Sequence, residues 1–281
     1  MAHPVQLLVI DPQNDFCDLP TAWQPPHPLT GARLAPALPV AGAHADMQRL
    51  AAWISTQGAA IDAITITLDT HQRHDIAHPN FWCNAQGAEV APFTPITASQ
   101  VRAGTYRPRH ANSLPDVLAY LDALEQQGRY THMVWPVHCE IGHWGHNIHA
   151  SVAAACGAWQ IQHQRAVTHI LKGMNPATEH YSALQAEVPD ATDAHTQLNT
   201  HLLAALDSAQ VLLVAGEASS HCVRATTEHL VQHLPRQRPE RIVLLTDCMS
   251  PVTGFEAQHT AFLAEMQARG VQLACSSQIR L

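Results

Sequence analysis

The sequence VLLVAGEASSHCVR, at residues 211–224, is the most informative stretch of this chain. Five apolar residues lead to Gly216, and a turn of small residues then brings the chain to Cys222. Residues 222–233 have the pattern of an amphipathic helix, so a buried strand, a tight turn and a helix are predicted here. A sulfur at the start of a helix lies where the helix dipole can stabilise a nucleophilic thiolate. A cysteine after a strand is also a common inert core residue, so other groups must decide between these two interpretations.

Apolar runs of the same kind recur along the chain and alternate with segments of helical pattern. The predicted strands are 6–10, 63–68, 132–135, 167–171, 211–215 and 241–246, with 271–275 as a late or edge strand. The predicted helices are 45–57, 114–127, 147–156, 196–206, 222–233 and 257–269. Strands rich in Val, Ile and Leu that alternate with helices indicate an α/β fold with a parallel sheet covered on both faces. Ligands of such folds bind beyond the carboxyl ends of the strands.

The length of 281 residues allows one large domain, and the sequence contains neither an internal repeat nor a convincing linker. We therefore predict a single domain over residues 1–281. A long insertion around 79–112 carries prolines and has no clear periodicity, which is typical of a functional or flexible segment.

The composition excludes several kinds of partner. A net charge of −8 without a basic cluster argues against a nucleic-acid surface. The chain contains no apolar run long enough to span a bilayer, and its N-terminal sequence MAHPVQLLVID lacks a signal-peptide pattern. Seven cysteines without a repeating spacing favour a reducing compartment over a disulfide framework. We expect a cytoplasmic protein that binds neither membranes nor nucleic acids.

Charged residues follow four of the other predicted strands, where the chemistry of an α/β fold is expected. Asp11 follows the first strand, either as a loop cap or as a general base whose pKa burial raises. Asp69 and His71 point to the same side of an extended segment and could bind zinc or another divalent cation. His138 could complete that metal site, since adjacent strand ends converge. Lys172 either brings an ammonium into the same cleft or extends to solvent.

Five motifs occur together along this chain: LLVIDPQNDFC, LDTH, WPVHCEIG, ILKG and GEASSHCVRATTEHL. In this order, and over most of the chain, they resemble the isochorismatase-like cysteine hydrolase superfamily and within it the nicotinamidase branch. The resemblance implies a three-layer α-β-α fold with a six-stranded parallel sheet. It also implies a homo-oligomer.

The resemblance further implies the residues of the active site. The catalytic triad would be Asp11, Lys172 and Cys222. A cis peptide bond would join Glu217 to Ala218, and backbone N–H groups near Ala218 and Cys222 would form the oxyanion hole. Phe16, Trp135 and Tyr181 fall at positions similar to those that form the walls of the family's pyridine pocket.

The implied cofactor is a divalent metal, with zinc as the first choice and iron or manganese as alternatives. Its implied ligands are Asp69, His71 and His138. Nicotinamidases often have a further histidine six residues after the first metal histidine, where this chain has Ala77. His78 lies one residue later and could shift into place, or water could substitute, or the site could use three protein ligands.

The predicted activity is hydrolysis of a linear amide C–N bond, which converts nicotinamide to nicotinate and ammonia through a cysteine thioester. The metal would orient the pyridine ring, and the reaction would belong to NAD salvage. One alternative keeps the triad and changes the substrate to another small amide, such as a carbamoyl or ureido compound. Another alternative is a non-catalytic, ligand-binding member of the same fold.

Overall fold

The structure is a computed structural model that describes residues 4–281, so residues 1–3 of the predicted domain lie outside it. The described strands are β1 (Val5–Ile10), β2 (Ala63–Asp69), β3 (Trp82–Asn84), β4 (Thr94–Ile96), β5 (Tyr106–Pro108), β6 (His132–Val134), β7 (Thr168–Lys172), β8 (Val211–Gly216), β9 (Ile242–Leu245) and β10 (Gln272–Ala274). The described α-helices are α1 (Ala43–Gln57), α2 (Ala98–Arg102), α3 (Leu114–Gln127), α4 (Ala150–His163), α5 (Thr200–Asp207), α6 (Cys222–His233) and α7 (Glu256–Ala268).

Six parallel strands form the central sheet in the order β10-β9-β8-β1-β2-β7. The central strands are almost continuous apolar runs because helices cover both of their faces. At one edge, β7 leaves Thr168 and His169 exposed and Leu171 half exposed. The predicted α/β fold with a six-stranded parallel sheet is therefore confirmed.

One predicted strand lies outside this sheet. The run 132–135 forms β6, which pairs antiparallel with β4 in a separate two-stranded sheet. The prediction that this run is the third sheet strand is wrong, because β7 already pairs with the free side of β2. The run 271–275 contains β10, which supplies the sixth strand at the other edge.

The strand order places the helices and the site. The chain passes from β1 through α1 to β2 in one direction along the sheet, and from β8 through α6 to β9 in the other. Because such crossovers are right-handed, α1 and α6 lie on opposite faces, where α4 and α7 pack against them. The direction reverses between β1 and β8. This reversal is a topological switch point, beyond which an open α/β sheet forms a crevice.

Residues 79–112 contain three short strands and one short helix. Strand β3 pairs antiparallel with β5, and β4 pairs with β6 from beyond the segment. Buried side chains from this region and α3 form a second hydrophobic cluster beside the main core, including Trp82, Val101 and Leu121. None of the helices within residues 4–281 has the length and apolar character that crossing a bilayer requires.

Gly216 sets how closely β8 can approach β1. It has φ of 120° and pairs with Ile10 in the ladder. A Cβ atom at Gly216 would lie 1.9 Å from the carbonyl oxygen of Ile10. The two strand ends that frame the crevice can therefore meet only because this residue has no side chain.

We expect Gly216→Ala to lower the free energy of unfolding by about 3 kcal/mol or more, from backbone strain and steric overlap together. Gly87→Ala is the matched control, because Gly87 also has positive φ but a Cβ atom there would meet nothing within 4 Å. It should cost only the strain of the left-handed conformation, about 1–2 kcal/mol. Urea unfolding of both variants measures the difference, and equal losses would refute the role of the close approach.

Candidate active site

Three strand ends bring charged groups to one buried ammonium. Lys172 Nζ lies 3.0 Å from Asp11 Oδ2 and 2.8 Å from Asp69 Oδ1. It also lies 3.5 Å from Cys222 Sγ and donates to the carbonyl oxygen of His180 at 2.9 Å. Asp69 and Lys172 are directly paired in the ladder between β2 and β7, so their side chains leave the sheet side by side. The structure therefore places the three residues of the predicted triad in contact around Lys172.

Asp11 is held in place by Thr67 on the neighbouring strand. The Thr67 hydroxyl donates to Asp11 Oδ1, and its oxygen accepts from the Asp11 backbone N–H at 3.1 Å. Asp11 has positive φ, which turns the chain as it leaves β1, and the residue is fully buried. Thr67 was not among the predicted site residues, because in sequence it is one polar position of an alternating strand.

Two carboxylates share one lysine here, and their environments separate their pKa values. Burial, with the negative charge of Asp69, raises the pKa of Asp11, although Lys172 acts in the opposite direction. Burial also opposes ionisation of Asp69, but Lys172 and His71 outweigh it and hold the pKa of Asp69 well below its usual range. Asp11 is thus the better proton acceptor, and Asp69 stays ionised.

Cys222 is the first residue of α6, at the position that the sequence predicts, and it is buried. Burial raises the pKa of its thiol well above the usual range, and Asp11 and Asp69 add to this effect while Lys172 opposes it. The helix start alone therefore does not produce a thiolate. A thiol in this environment needs a base to take its proton, and Asp11 is the carboxylate with the raised pKa.

A cluster of three buried histidines lies beside the triad. Ligand-type atoms of His71, His78 and His138 all lie within 4.8 Å of one another. Asp69 Oδ2 lies 3.1 Å from Nε2 of His71 and 3.4 Å from Nε2 of His138. The structure thus brings the predicted ligands Asp69, His71 and His138 together and adds His78, the position that the sequence left open.

The three histidines are oriented in the same way. Each directs Nδ1 to an oxygen acceptor: His71 to Asp75 at 3.0 Å, His78 to the Gln72 carbonyl at 3.2 Å, and His138 to the Pro136 carbonyl at 2.8 Å. A proton on Nδ1 leaves the lone pair of Nε2 as the acceptor, as at His78, where the His138 backbone N–H donates to Nε2 at 3.4 Å. The oxygen acceptors at Nδ1 are of the kind that commonly orients metal-binding histidines.

The environment of the cluster also fits a cation. Burial, with the neighbouring histidines, lowers the pKa of His78 to about 3, so its ring is neutral. Three imidazoles and one carboxylate suit zinc, and also iron or manganese. These residues therefore fit the divalent metal that the resemblance implies.

Cys222 lines one narrow pocket together with Asp69 and His138, a member of the histidine cluster. Its walls include Phe16, Trp135 and Tyr181, and Trp135 donates its ring N–H to the Tyr181 hydroxyl at 3.1 Å. His221 also lines this pocket, with its ring 5.1 Å from that of Trp135.

The turn before Cys222 contains the cis peptide bond between Glu217 and Ala218. Ala218 lines the pocket. The backbone N–H groups of Ala218 and Cys222 donate to no acceptor within residues 4–281, so both are free to bind an oxyanion. The Glu217 side chain lies elsewhere, buried where its Oε2 accepts from the Ser250 backbone N–H. Its contribution is to the turn and not to the pocket wall.

Glu179 is a pocket residue that the sequence did not indicate. It is buried, and its Oε2 atom has no hydrogen-bond partner among the described residues. Burial raises the pKa of this carboxyl group to about 7, with a further contribution from Asp69. It lies in a loop after β7, and nothing in the local pattern distinguishes it from an exposed loop glutamate. It adds a carboxyl group to the wall of the pocket.

Solved structures similar to this chain include several hydrolases. A nicotinamidase/pyrazinamidase of Acinetobacter baumanii matches with a TM-score of 0.63 and 19% identity over 98% of both chains. The yeast nicotinamidase matches with a TM-score of 0.61 and 17% identity, over 96% of this chain and 99% of the other. A Pyrococcus horikoshii pyrazinamidase, solved in complex with zinc, has a TM-score of 0.51 and 17% identity over 96% and 98%.

This chain has the isochorismatase-like hydrolase fold. No family model and no curated protein sequence matches it. At the identities of the structural neighbours, the likeness establishes the isochorismatase-like fold, while the chemistry must be argued from the residues of this chain.

We expect the metal-free protein to bind one Zn²⁺. His78→Ala should weaken this binding by more than about tenfold, because even the loss of a residue that only hydrogen-bonds to a metal ligand costs about that much. His74→Ala is the matched control, because His74 is an exposed histidine on the same loop. Isothermal titration calorimetry measures both affinities. Unchanged zinc affinity in His78→Ala would exclude this histidine from the site.

Proposed function

We propose that this chain is a cysteine amidohydrolase that converts nicotinamide to nicotinate and ammonia. One observation carries the proposal: the buried Lys172 ammonium contacts Asp11, Asp69 and Cys222 Sγ together. A thiol nucleophile, a carboxylate base and a fixed cation at one point are what acyl transfer from an amide requires. The names of the structural neighbours support the same reaction class.

In the first half of the reaction, Asp11 takes the proton of the Cys222 thiol. The sulfur then attacks the amide carbonyl carbon and forms the C–S bond. The carbonyl oxygen becomes an oxyanion, which the N–H groups of Ala218 and Cys222 stabilise. Asp11 gives its proton to the amide nitrogen as the C–N bond breaks. Ammonia leaves and an acyl thioester remains on Cys222.

In the second half, Asp11 takes a proton from water as the water oxygen attacks the thioester carbonyl. The C–S bond breaks, the carboxylic acid leaves, and the sulfur recovers its proton from Asp11. Throughout the cycle Lys172 stays charged, because Asp11, Asp69 and Cys222 raise its pKa well above the usual range although burial opposes this. Its charge stabilises whichever of Asp11 and Cys222 carries the negative charge.

The histidine cluster favours a pyridine amide over other small amides. A divalent metal held by Asp69, His71, His78 and His138 would bind the ring nitrogen and so orient the substrate. The aromatic walls from Phe16, Trp135 and Tyr181 would contact the two faces and the edge of the ring. Asp69 remains ionised for this task, which leaves proton transfer to Asp11.

We expect Cys222→Ala to abolish ammonia release from nicotinamide while the circular-dichroism spectrum stays unchanged, because the variant has no nucleophile. Cys156→Ala is the matched control, since Cys156 is another buried cysteine, in α4, outside the active-site pocket. It should retain turnover. Turnover by Cys222→Ala would refute the cysteine mechanism.

A comparison of substrates tests the proposed ring contact in the same assay. Benzamide has the amide and the ring of nicotinamide but no ring nitrogen, so it should be hydrolysed much more slowly by the zinc-loaded protein. Removal of metal with a chelator should reduce the difference. Equal rates with both amides would overturn the pyridine specificity, and a better rate with a carbamoyl or ureido compound would replace the proposed substrate.

We expect Thr67→Val to lower kcat for nicotinamide about 10- to 100-fold, since a hydrogen bond to a charged group contributes about 1.5–3 kcal/mol. KM should change little, because Thr67 contacts Asp11 and does not line the pocket. Thr65→Val is the matched control on the same strand, because Thr65 is also buried, whereas the threonine that bonds to Asp11 is Thr67. A Thr67→Val variant with unchanged kcat would show that Asp11 needs no such support.

A further inference from the structure

A second pocket lies on the other side of the active-site wall. Tyr181 and His221 line both pockets. The second one has a volume of about 230 Å³, which suits a ligand smaller than a typical drug. We call it the arginine pocket and define it by Arg129, Tyr130, Tyr181, His221, Arg224 and Phe255.

Two guanidinium groups meet at this pocket. Arg224 Nε lies 2.7 Å from Glu228 Oε1, and Arg129 Nη2 lies 2.6 Å from Glu228 Oε2. Both guanidinium groups lie over the Tyr130 ring, at 5.8 and 5.5 Å from its centroid. The two terminal nitrogens of Arg224 have no acceptor within residues 4–281, so one of the arginines keeps an unused pair of donors.

The charge around the pocket favours an anion. Glu228 supplies one carboxylate against two guanidinium groups. The other acidic group nearby is Glu187, whose Oε2 lies 3.7 Å from Arg129 Nη1. Burial raises the pKa of Glu187 to about 7, so this carboxyl group is only partly ionised at neutral pH. His229 Nε2 accepts from Arg129 Nη1 at 3.0 Å, and burial lowers the pKa of His229 to about 4, which makes its ring neutral.

The remaining walls are flat and aromatic. The rings of Tyr130 and His221 are nearly parallel, with an interplanar angle of 21° and centroids 5.9 Å apart. Phe255 packs edge-on against His221 at 4.7 Å. The Tyr130 hydroxyl is buried and has no hydrogen-bond partner among the described residues. Such walls suit an aromatic ring, and the planar guanidinium of Arg224 suits a carboxylate.

We propose that the arginine pocket binds a small aromatic monocarboxylate at a site separate from the active-site pocket. Recognition would come from Arg224 and Arg129 at the carboxylate and from the aromatic walls at the ring. His221 immediately precedes Cys222, so a ligand that contacts His221 would also affect the turn that positions Cys222. The acid product of the reaction belongs to this chemical class, and that link alone rests on the proposed function.

Binding of benzoate and of nicotinate to the full-length protein tests the proposal by calorimetry. We expect both acids to bind the wild type, and Arg224→Gln to weaken benzoate binding by about tenfold or more, the effect of losing hydrogen bonds to a charged group. Arg269→Gln is the matched control, because Arg269 follows the last residue of α7 and is also paired with a glutamate four residues away. It should leave the affinity unchanged.

Two further measurements keep the outcomes distinct. Arg224→Lys keeps the charge but lacks the planar fork, so it should also weaken benzoate binding, by less than Arg224→Gln. Ammonia release by Arg224→Gln without added acid should equal that of the wild type. The proposed second site would be overturned if the wild type did not bind benzoate, or if both Arg224 variants bound benzoate with the affinity of the wild type. Benzoate binding by a wild type that releases no ammonia would overturn the proposed function and leave the arginine pocket supported.

Discussion

The buried ammonium of Lys172 is the interaction on which the rest of the site depends. Moving a charged lysine out of water is costly, and it is tolerated only where opposite charges and hydrogen bonds replace the water. Asp11, Asp69 and the His180 carbonyl provide that replacement within 3.0 Å. The same contacts tie three strand ends together, so the charge that organises the chemistry also fixes the geometry of the crevice.

The fold explains why these groups meet. The sheet reverses direction between β1 and β8, and the crevice at that point receives Asp11 from one strand and the turn to Cys222 from the other. Gly216 allows the two strands to approach, since any Cβ atom there would overlap the Ile10 carbonyl. Strands β2 and β7 then add Asp69 and Lys172 in direct register. Each side chain therefore reaches the site because of its position at a strand end.

That placement is also why much of the site could be predicted from the sequence. Asp11 and Lys172 directly follow apolar runs, Cys222 follows the turn after another such run, and parallel strands bring their carboxyl ends to one edge. Membership of the sheet was harder to predict, because β6 is too short for its pattern to distinguish a central strand from an isolated pair. His138 lies in the loop after β6, and a β-bridge between Glu140 of this loop and His71 brings it to the cluster. It does not reach the cluster from the end of a strand of the central sheet.

The residues that escaped prediction are those whose role depends on burial by distant parts of the chain. Glu179 and Glu187 look like ordinary loop glutamates in sequence, yet burial raises the pKa of each to about 7. The arginine pocket likewise combines Arg129, from the connection after α3, with Arg224 in α6, and their separation in sequence hides the pair. Local pattern can predict an element and the residue at its end. It does not contain the burial that decides whether a charge is exposed or is part of a site.

The two oxygens of Asp69 face different groups. Oδ1 contacts Lys172, while Oδ2 faces His71 and His138. A cation among the histidines would therefore meet the oxygen that the ammonium does not use, so the ion pair with Lys172 can persist when the cluster is occupied. Burial opposes protonation of His71, but Asp69 and Asp75 outweigh it and raise the pKa of this histidine well above its usual range. Lys172 and the histidines can share one carboxylate because each contacts its own oxygen.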